Sequence, residues 1–75
     1  MKSQDVFDQM IEKWPSAIVA RTEIRQFSGG AIGGKFMANL DSQKKGPDGR
    51  FKIGRKTVYP VASVASWLRG RSQGV

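Results

Sequence analysis

The sequence predicts a small α+β fold of about four short helices and one β-hairpin. Three observations predict it. Apolar residues recur at helical spacing near both ends, as Val6, Phe7, Met10, Ile11 and Trp14 and again as Val61, Val64, Ala65 and Leu68. Apolar and polar residues alternate on either side of Gly54-Arg55, the pattern of two strands joined by a two-residue turn. Two glycine pairs, Gly29-Gly30 and Gly33-Gly34, punctuate a middle stretch that is otherwise helical in character.

The first helix is expected over residues 5–14, with Ser3 as its cap and Asp5 suited to the positive helix start. Its apolar arc should pack on the core, leaving Asp5, Asp8, Gln9 and Glu12 as an acidic outer face. Pro15 ends it, because a residue before proline is pushed out of the helical region. Residues 16–20 form a short β-prone piece. A second helix over residues 22–27 turns Ile24 and Phe27 inward, and Gly29 or Gly30 supplies a left-handed residue at its end. At about two turns it is too short to be stable alone. A third helix over residues 33–42 places Phe36, Met37 and Leu40 on an inner arc. Lys35, Ala38, Asn39 and Ser42 form the outer arc, with Asp41 at the border. Residues 44–50, "KKGPDGR", break regular structure, with Pro47 and Gly49 suiting a β-turn. The hairpin spans residues 50–59. The last helix starts at Pro60, where a missing N–H costs nothing, and stops near Gly70, leaving residues 71–75 as a tail.

"GGAIGGK" (residues 29–35) matches all but the last position of a phosphate-binding P-loop. The match fails on its requirements. A P-loop follows a buried strand, whereas "TEIRQFS" precedes this one; it needs a hydroxyl after the lysine, where Phe36 stands.

The 75 residues are read as one domain, 1–75, without cysteine or histidine. No thiolate site, disulfide or imidazole base can therefore be built, and the scattered carboxylates offer no acid–base pair. No enzyme, metal or cofactor is expected. The amino-terminal stretch carries acids early and no apolar core, so it does not read as a signal peptide, and no apolar run is of membrane-spanning length. A cytoplasmic protein is expected, without a membrane partner. Net charge is +7, and it is unevenly spread. Residues 1–15 set Lys2 and Lys13 against Asp5, Asp8 and Glu12. The chain from Lys35 onward holds only Asp41 and Asp48 against Lys35, Lys44, Lys45, Arg50, Lys52, Arg55, Lys56, Arg69 and Arg71. Localised positive charge of this kind points to a polyanion.

Two short helices joined by a glycine-containing turn form a helix–turn–helix, which sets its second helix in the major groove. Residues 22–42 fit it, with Ile32 plugging the turn. Asn39 can pair with adenine, Ser42 with either kind of base edge, and Ala38 can touch a thymine methyl. Lys35 can reach a phosphate or a guanine, and freed N–H groups at the helix start can hold a phosphate. Lys52, Arg55 and Lys56 at the hairpin would make it a wing that neutralises phosphates of a neighbouring groove; edge cations also block aggregation. Arg21, Arg25, Lys44, Lys45 and Arg50 complete the expected DNA-contacting set. The whole reads as an α+β winged helix–turn–helix with a β-hairpin wing.

The ordered segments "R-x-E-I-x-x-F-S-G-G", "M-A-N-L-D-S" followed by "G-P-x-G-R", and "I-G-R-K-x-x-Y-P-V-x-x-V-x-x-W-L" resemble small bacterial and phage winged-helix proteins of the excisionase and AlpA type, in the MerR-like group. The resemblance covers residues 13–71. It implies a duplex DNA-binding domain of a prophage or mobile element, with Lys35, Asn39 and Ser42 in the groove and Arg55 and Lys56 on the backbone. It also implies a bacterial, nucleoid-associated setting, acting in excision or in transcriptional regulation. Partners would be duplex DNA, further copies of the chain as a dimer or cooperative array, and an integrase or other protein. Gly33-Gly34 departs from the Ser or Thr that often caps this helix in the family, so a loose first turn is expected. Two other readings of the same residues are a protein-interaction module, using the acidic first helix and Trp67, and a binder of structured RNA.

Overall fold

A computed structural model describes residues 5–72. Among them the fold is a small α+β arrangement of four helices and a three-stranded antiparallel sheet, compatible with a small winged-helix-like design. The chain order is α1 (Val6–Lys13), β1 (Ile18–Ala20), a 3-10 turn (Arg21–Glu23), α2 (Ile24–Phe27), α3 (Gly34–Ser42), β2 (Phe51–Ile53), β3 (Lys56–Pro60) and α4 (Val61–Arg71). No described helix is long and apolar enough to cross a membrane.

α1 is capped by Asp5, whose carboxylate accepts the Asp8 N–H at 2.9 Å. The expected cap, Ser3, lies outside the described residues. The apolar arc of α1 is only half used. Met10 and Trp14 pack against the core, while Val6 and Ile11 are exposed. Two acids of the outer face, though about half exposed, are paired: Arg69 of α4 meets Asp5 at 2.8 Å and Asp8 at 3.3 Å. α1 is thus strapped to α4 by charge as well as by packing.

The β-prone piece became a third strand. β1 pairs with β3 (Val19 opposite Tyr59), and β3 pairs with β2 (Phe51 opposite Val58), giving the order β1-β3-β2. Because opposed residues share a face, Val19 and Tyr59 point to one side and Ala20, Val58, Phe51 and Ile53 to the other. Val19 and Tyr59 join Ile24, Phe27, Met37, Val61 and Val64 in the core. Trp14 meets Phe27 edge-on, with ring centroids 5.3 Å apart, and its indole N–H bonds the Ile18 carbonyl at 2.9 Å.

Gly29 and Gly30 both take positive φ, 67° and 90°, so the α2 terminus is as expected. Ser28 closes the following turn by accepting the Ile32 N–H at 3.0 Å, and Ile32 lies partly buried against the core. The hairpin also has the expected geometry. Ile53 pairs with Lys56, and Gly54 at φ 62° with Arg55 outside the positive-φ set is a Gly-X turn of type II′.

Two expectations fail. Phe36 is not a core anchor; it is 42% exposed, and the inner face of α3 is Met37, Leu40 and Asp41. Gly70 does not stop α4, which runs through it to Arg71. Helical φ suits any residue, so a glycine permits a stop without requiring one. Beside these, Phe51 and Ile53 are 46% and 55% exposed, although Val58, opposite Phe51 on the same face of the sheet, is buried. Alternation tells which residues share a face, not how much of it is covered.

Candidate nucleic-acid interface

One buried carboxylate organises the candidate surface. Asp41 on α3 is 4% exposed. It accepts the Arg21 guanidinium at 2.6 Å and the Tyr59 hydroxyl at 2.5 Å, and Tyr59 in turn accepts Arg21 Nε at 3.0 Å. This triangle joins α3, the 3-10 turn and β3, so it pins the second helix of the helix–turn–helix to the wing strand. Burial and then the Asp41 carboxylate push the Tyr59 hydroxyl above its ordinary pKa. The Tyr59 hydroxyl, followed by Asp41, holds Arg21 above the usual arginine value. The second Asp41 oxygen is buried without a hydrogen-bond partner, and Arg50 stands off at 3.9 Å. A side chain at Gly46 would overlap that carboxylate, which explains the small residue there.

The expected contact residues separate into groups. Arg21 is turned inward: its guanidinium belongs to the Asp41 triangle, and its side chain is 29% exposed. Charge alone could not separate it from Arg25, because its partners come from 20 and 38 residues away. Arg25 is exposed, and its guanidinium lies over the start of α3, where a side chain on Gly33 would meet it at 2.8 Å. Lys35 and Asn39 are exposed on α3. Ser42 is exposed too, although its hydroxyl donates to the Asn39 carbonyl at 2.8 Å, leaving its oxygen free to accept.

Lys44 and Lys45 form the far end of α3. Lys44 takes φ 60°, and the Lys45 N–H closes on the Leu40 carbonyl at 2.8 Å, a C-terminal cap built on lysine rather than glycine. The Lys45 carbonyl accepts the Trp67 indole N–H at 2.9 Å, tying this corner to α4. Arg50 marks the base of the wing. Lys52, Arg55 and Lys56 are exposed along the hairpin. Arg55 and Lys56 border a groove with Ala20, Arg21, Thr22 and Thr57, between the wing and the 3-10 turn. Thr22 is the residue that sequence reasoning missed here. Only the β1–β3 pairing brings it beside the wing.

The start of α3 has no side-chain cap, as the Gly33-Gly34 pair implies. A packing reason stands beside it: a side chain at Gly34 would meet the Arg21 carbonyl at 2.9 Å. The glycine admits the close approach of α3 to the 3-10 turn.

Cations outnumber acids on this surface, where Glu23 and Asp48 are also exposed. Among the described residues, the ion pairs involve only Arg21, Arg50 and Arg69 with Asp41, Asp5 and Asp8. Arg25, Lys35, Lys44, Lys45, Lys52, Arg55 and Lys56 have no carboxylate of a described residue within 4.0 Å. Cations that are not neutralised within the chain are available to an external polyanion. Compared with protein-family models, curated proteins and solved structures, the chain matches none.

Proposed function

We propose that this chain is a sequence-reading binder of duplex DNA rather than an enzyme, with α3 in the major groove and the β2–β3 hairpin on the flanking backbone. The observation that carries the reading is the set of cations on α3 and the wing without a carboxylate partner among the described residues, beside the exposed Asn39. Asn39 reads adenine, Ser42 accepts from a base edge, and Lys35 and Arg25 hold a phosphate or guanine at the start of α3. Lys52, Arg55 and Lys56 take phosphates beyond the groove. The Asp41–Tyr59–Arg21 triangle keeps the two halves at a constant spacing, which suits a reader that must meet two grooves in register. The wider setting we propose is a prophage or mobile element, with excision or transcriptional control as the outcome and further copies of the chain or an integrase as partners.

Fluorescence anisotropy with random duplex DNA and duplex RNA, at low and moderate salt, tests this. Duplex DNA should bind more tightly than duplex RNA. Silence from DNA even at low salt overturns the reading, and tighter binding of RNA replaces it with RNA recognition. On a selected DNA site, Asn39→Ala should cost about 1–3 kcal/mol while leaving random DNA nearly unchanged. Lys56→Ala should weaken all sequences alike and lower the salt slope by about 1. Equal losses from Asn39→Ala on both kinds of site would remove α3 from base reading.

A further inference from the structure

The wing carries more than charge. Ile53 and Phe51 are among the large apolar side chains left in water, and β2 is an edge strand with no covered residue. An exposed apolar edge invites aggregation unless something uses it. The register sets both side chains on the face away from Val19 and Tyr59; Val58, opposite Phe51 on that face, is buried, while Phe51 and Ile53 stay open towards the hairpin tip. Ile53 is the last strand residue before the Gly54-Arg55 turn, and nothing lies within 4 Å of the open side of Gly54, so the tip is bare. Within residues 50–56, apolar Phe51 and Ile53 are interleaved with Arg50, Lys52, Arg55 and Lys56, and none of the last three has a carboxylate partner among the described residues.

A partner for this tip must offer negative charge on both sides of an apolar slot. The minor groove of a duplex does so: phosphates line its walls, and base steps at its floor can be parted by an apolar side chain. We infer that Ile53, buttressed by Phe51, is a wedge that enters the minor groove and kinks the duplex by partly unstacking one base step. The inference rests on the duplex reading above. Ile53 suits the task because its branched side chain has few rotamers and its backbone is held in the ladder opposite Lys56. Arg55 and Lys56 then hold the phosphates flanking the opened step. Pyrimidine–purine steps, which unstack most easily, are the preferred entry points.

The test uses two duplexes of roughly 30 base pairs, identical except for a central TA step or a central A-tract, with donor and acceptor dyes at their ends. The protein should draw the ends of the TA duplex together and bend the A-tract duplex less. Ile53→Ser and Phe51→Ser should lose bending on the order of 20° or more while still binding, and Ile53→Met should keep it. Both side chains are about half exposed, so the variants should fold, which far-ultraviolet circular dichroism checks. Binding with unchanged bending in Ile53→Ser overturns the wedge and leaves the duplex reading standing. Absence of duplex binding overturns both. Tighter binding of single-stranded DNA overturns the wedge in favour of base stacking on Phe51. If sedimentation of the free protein shows a dimer that Ile53→Ser dissolves, the face is a self-association surface and the wedge is likewise overturned.

Discussion

Asp41 shows how one residue changes meaning between sequence and structure. On a helical wheel it borders the polar arc of α3; in the fold it is 4% exposed and bound by Arg21 and Tyr59. Breaking a buried pair leaves a charge without its partner, which costs more than the pair contributes. Gly46→Ala forces a methyl group into the Asp41 carboxylate and should destabilise by about 1–3 kcal/mol, read as a lower urea midpoint. Tyr59 gives a pH signature. Its folded pKa is raised, so its contribution is complete below the unfolded tyrosine value of about 10 and is lost as pH rises through the folded value. At pH 8 Tyr59→Phe should therefore be less stable than the parent by about 1–3 kcal/mol. As pH rises above the unfolded tyrosine value of about 10, the gap between the two urea midpoints should narrow. A gap that stays constant across this range would mean that the hydroxyl does not carry the effect.

At the scale of elements, the two short helices of the helix–turn–helix hold each other through close backbone approach. α2 has only four residues and could not persist alone. Ile24 and Phe27 anchor it in the core, and α3 lies close enough to the 3-10 turn that Gly34 has no room for a side chain. Gly34→Ala presses on the Arg21 carbonyl and should lower stability by about 1–3 kcal/mol. Gly33→Ala meets only the end of the flexible Arg25 side chain and should cost far less. The opposite sign is expected at Gly70, which sits within α4 with open space around it. There, alanine should stabilise by up to about 1 kcal/mol. Thermal melts of the three variants rank them, and equal effects at Gly33 and Gly34 would contradict the close-approach argument.

At the scale of the molecule, charge is sorted. Asp5 and Asp8 are drawn to Arg69, Asp41 holds Arg21, and the cations of α3 and the wing have no carboxylate partner among the described residues. On the duplex reading, contact with about five phosphates gives a slope of log affinity against log salt of about −4 to −5. A slope near −1 would show that most of these cations stay in solvent. The longest extent of 42 Å corresponds to about 12 base pairs at roughly 3.4 Å each, so a single copy should protect no more than that in a footprint. A much longer protected tract would report several copies side by side.

Local rules carried much of the fold. The spacing of Val61, Val64 and Ala65, the Gly54-Arg55 turn, the left-handed Gly29-Gly30 and the proline at the head of α4 are visible in sequence because each depends on neighbours within a few residues. The cationic character of the candidate surface is legible for the same reason, since net charge needs no fold to be counted. What tertiary structure decided are the choices that depend on distant partners. β1 became a strand because β3 lay beside it. The Arg21 guanidinium was turned into an ion pair while Arg25 stayed exposed, because Asp41 and Tyr59 arrive from elsewhere in the chain. Phe36, Phe51 and Ile53 stay exposed because a chain this short has too little interior to cover every apolar face that periodicity defines.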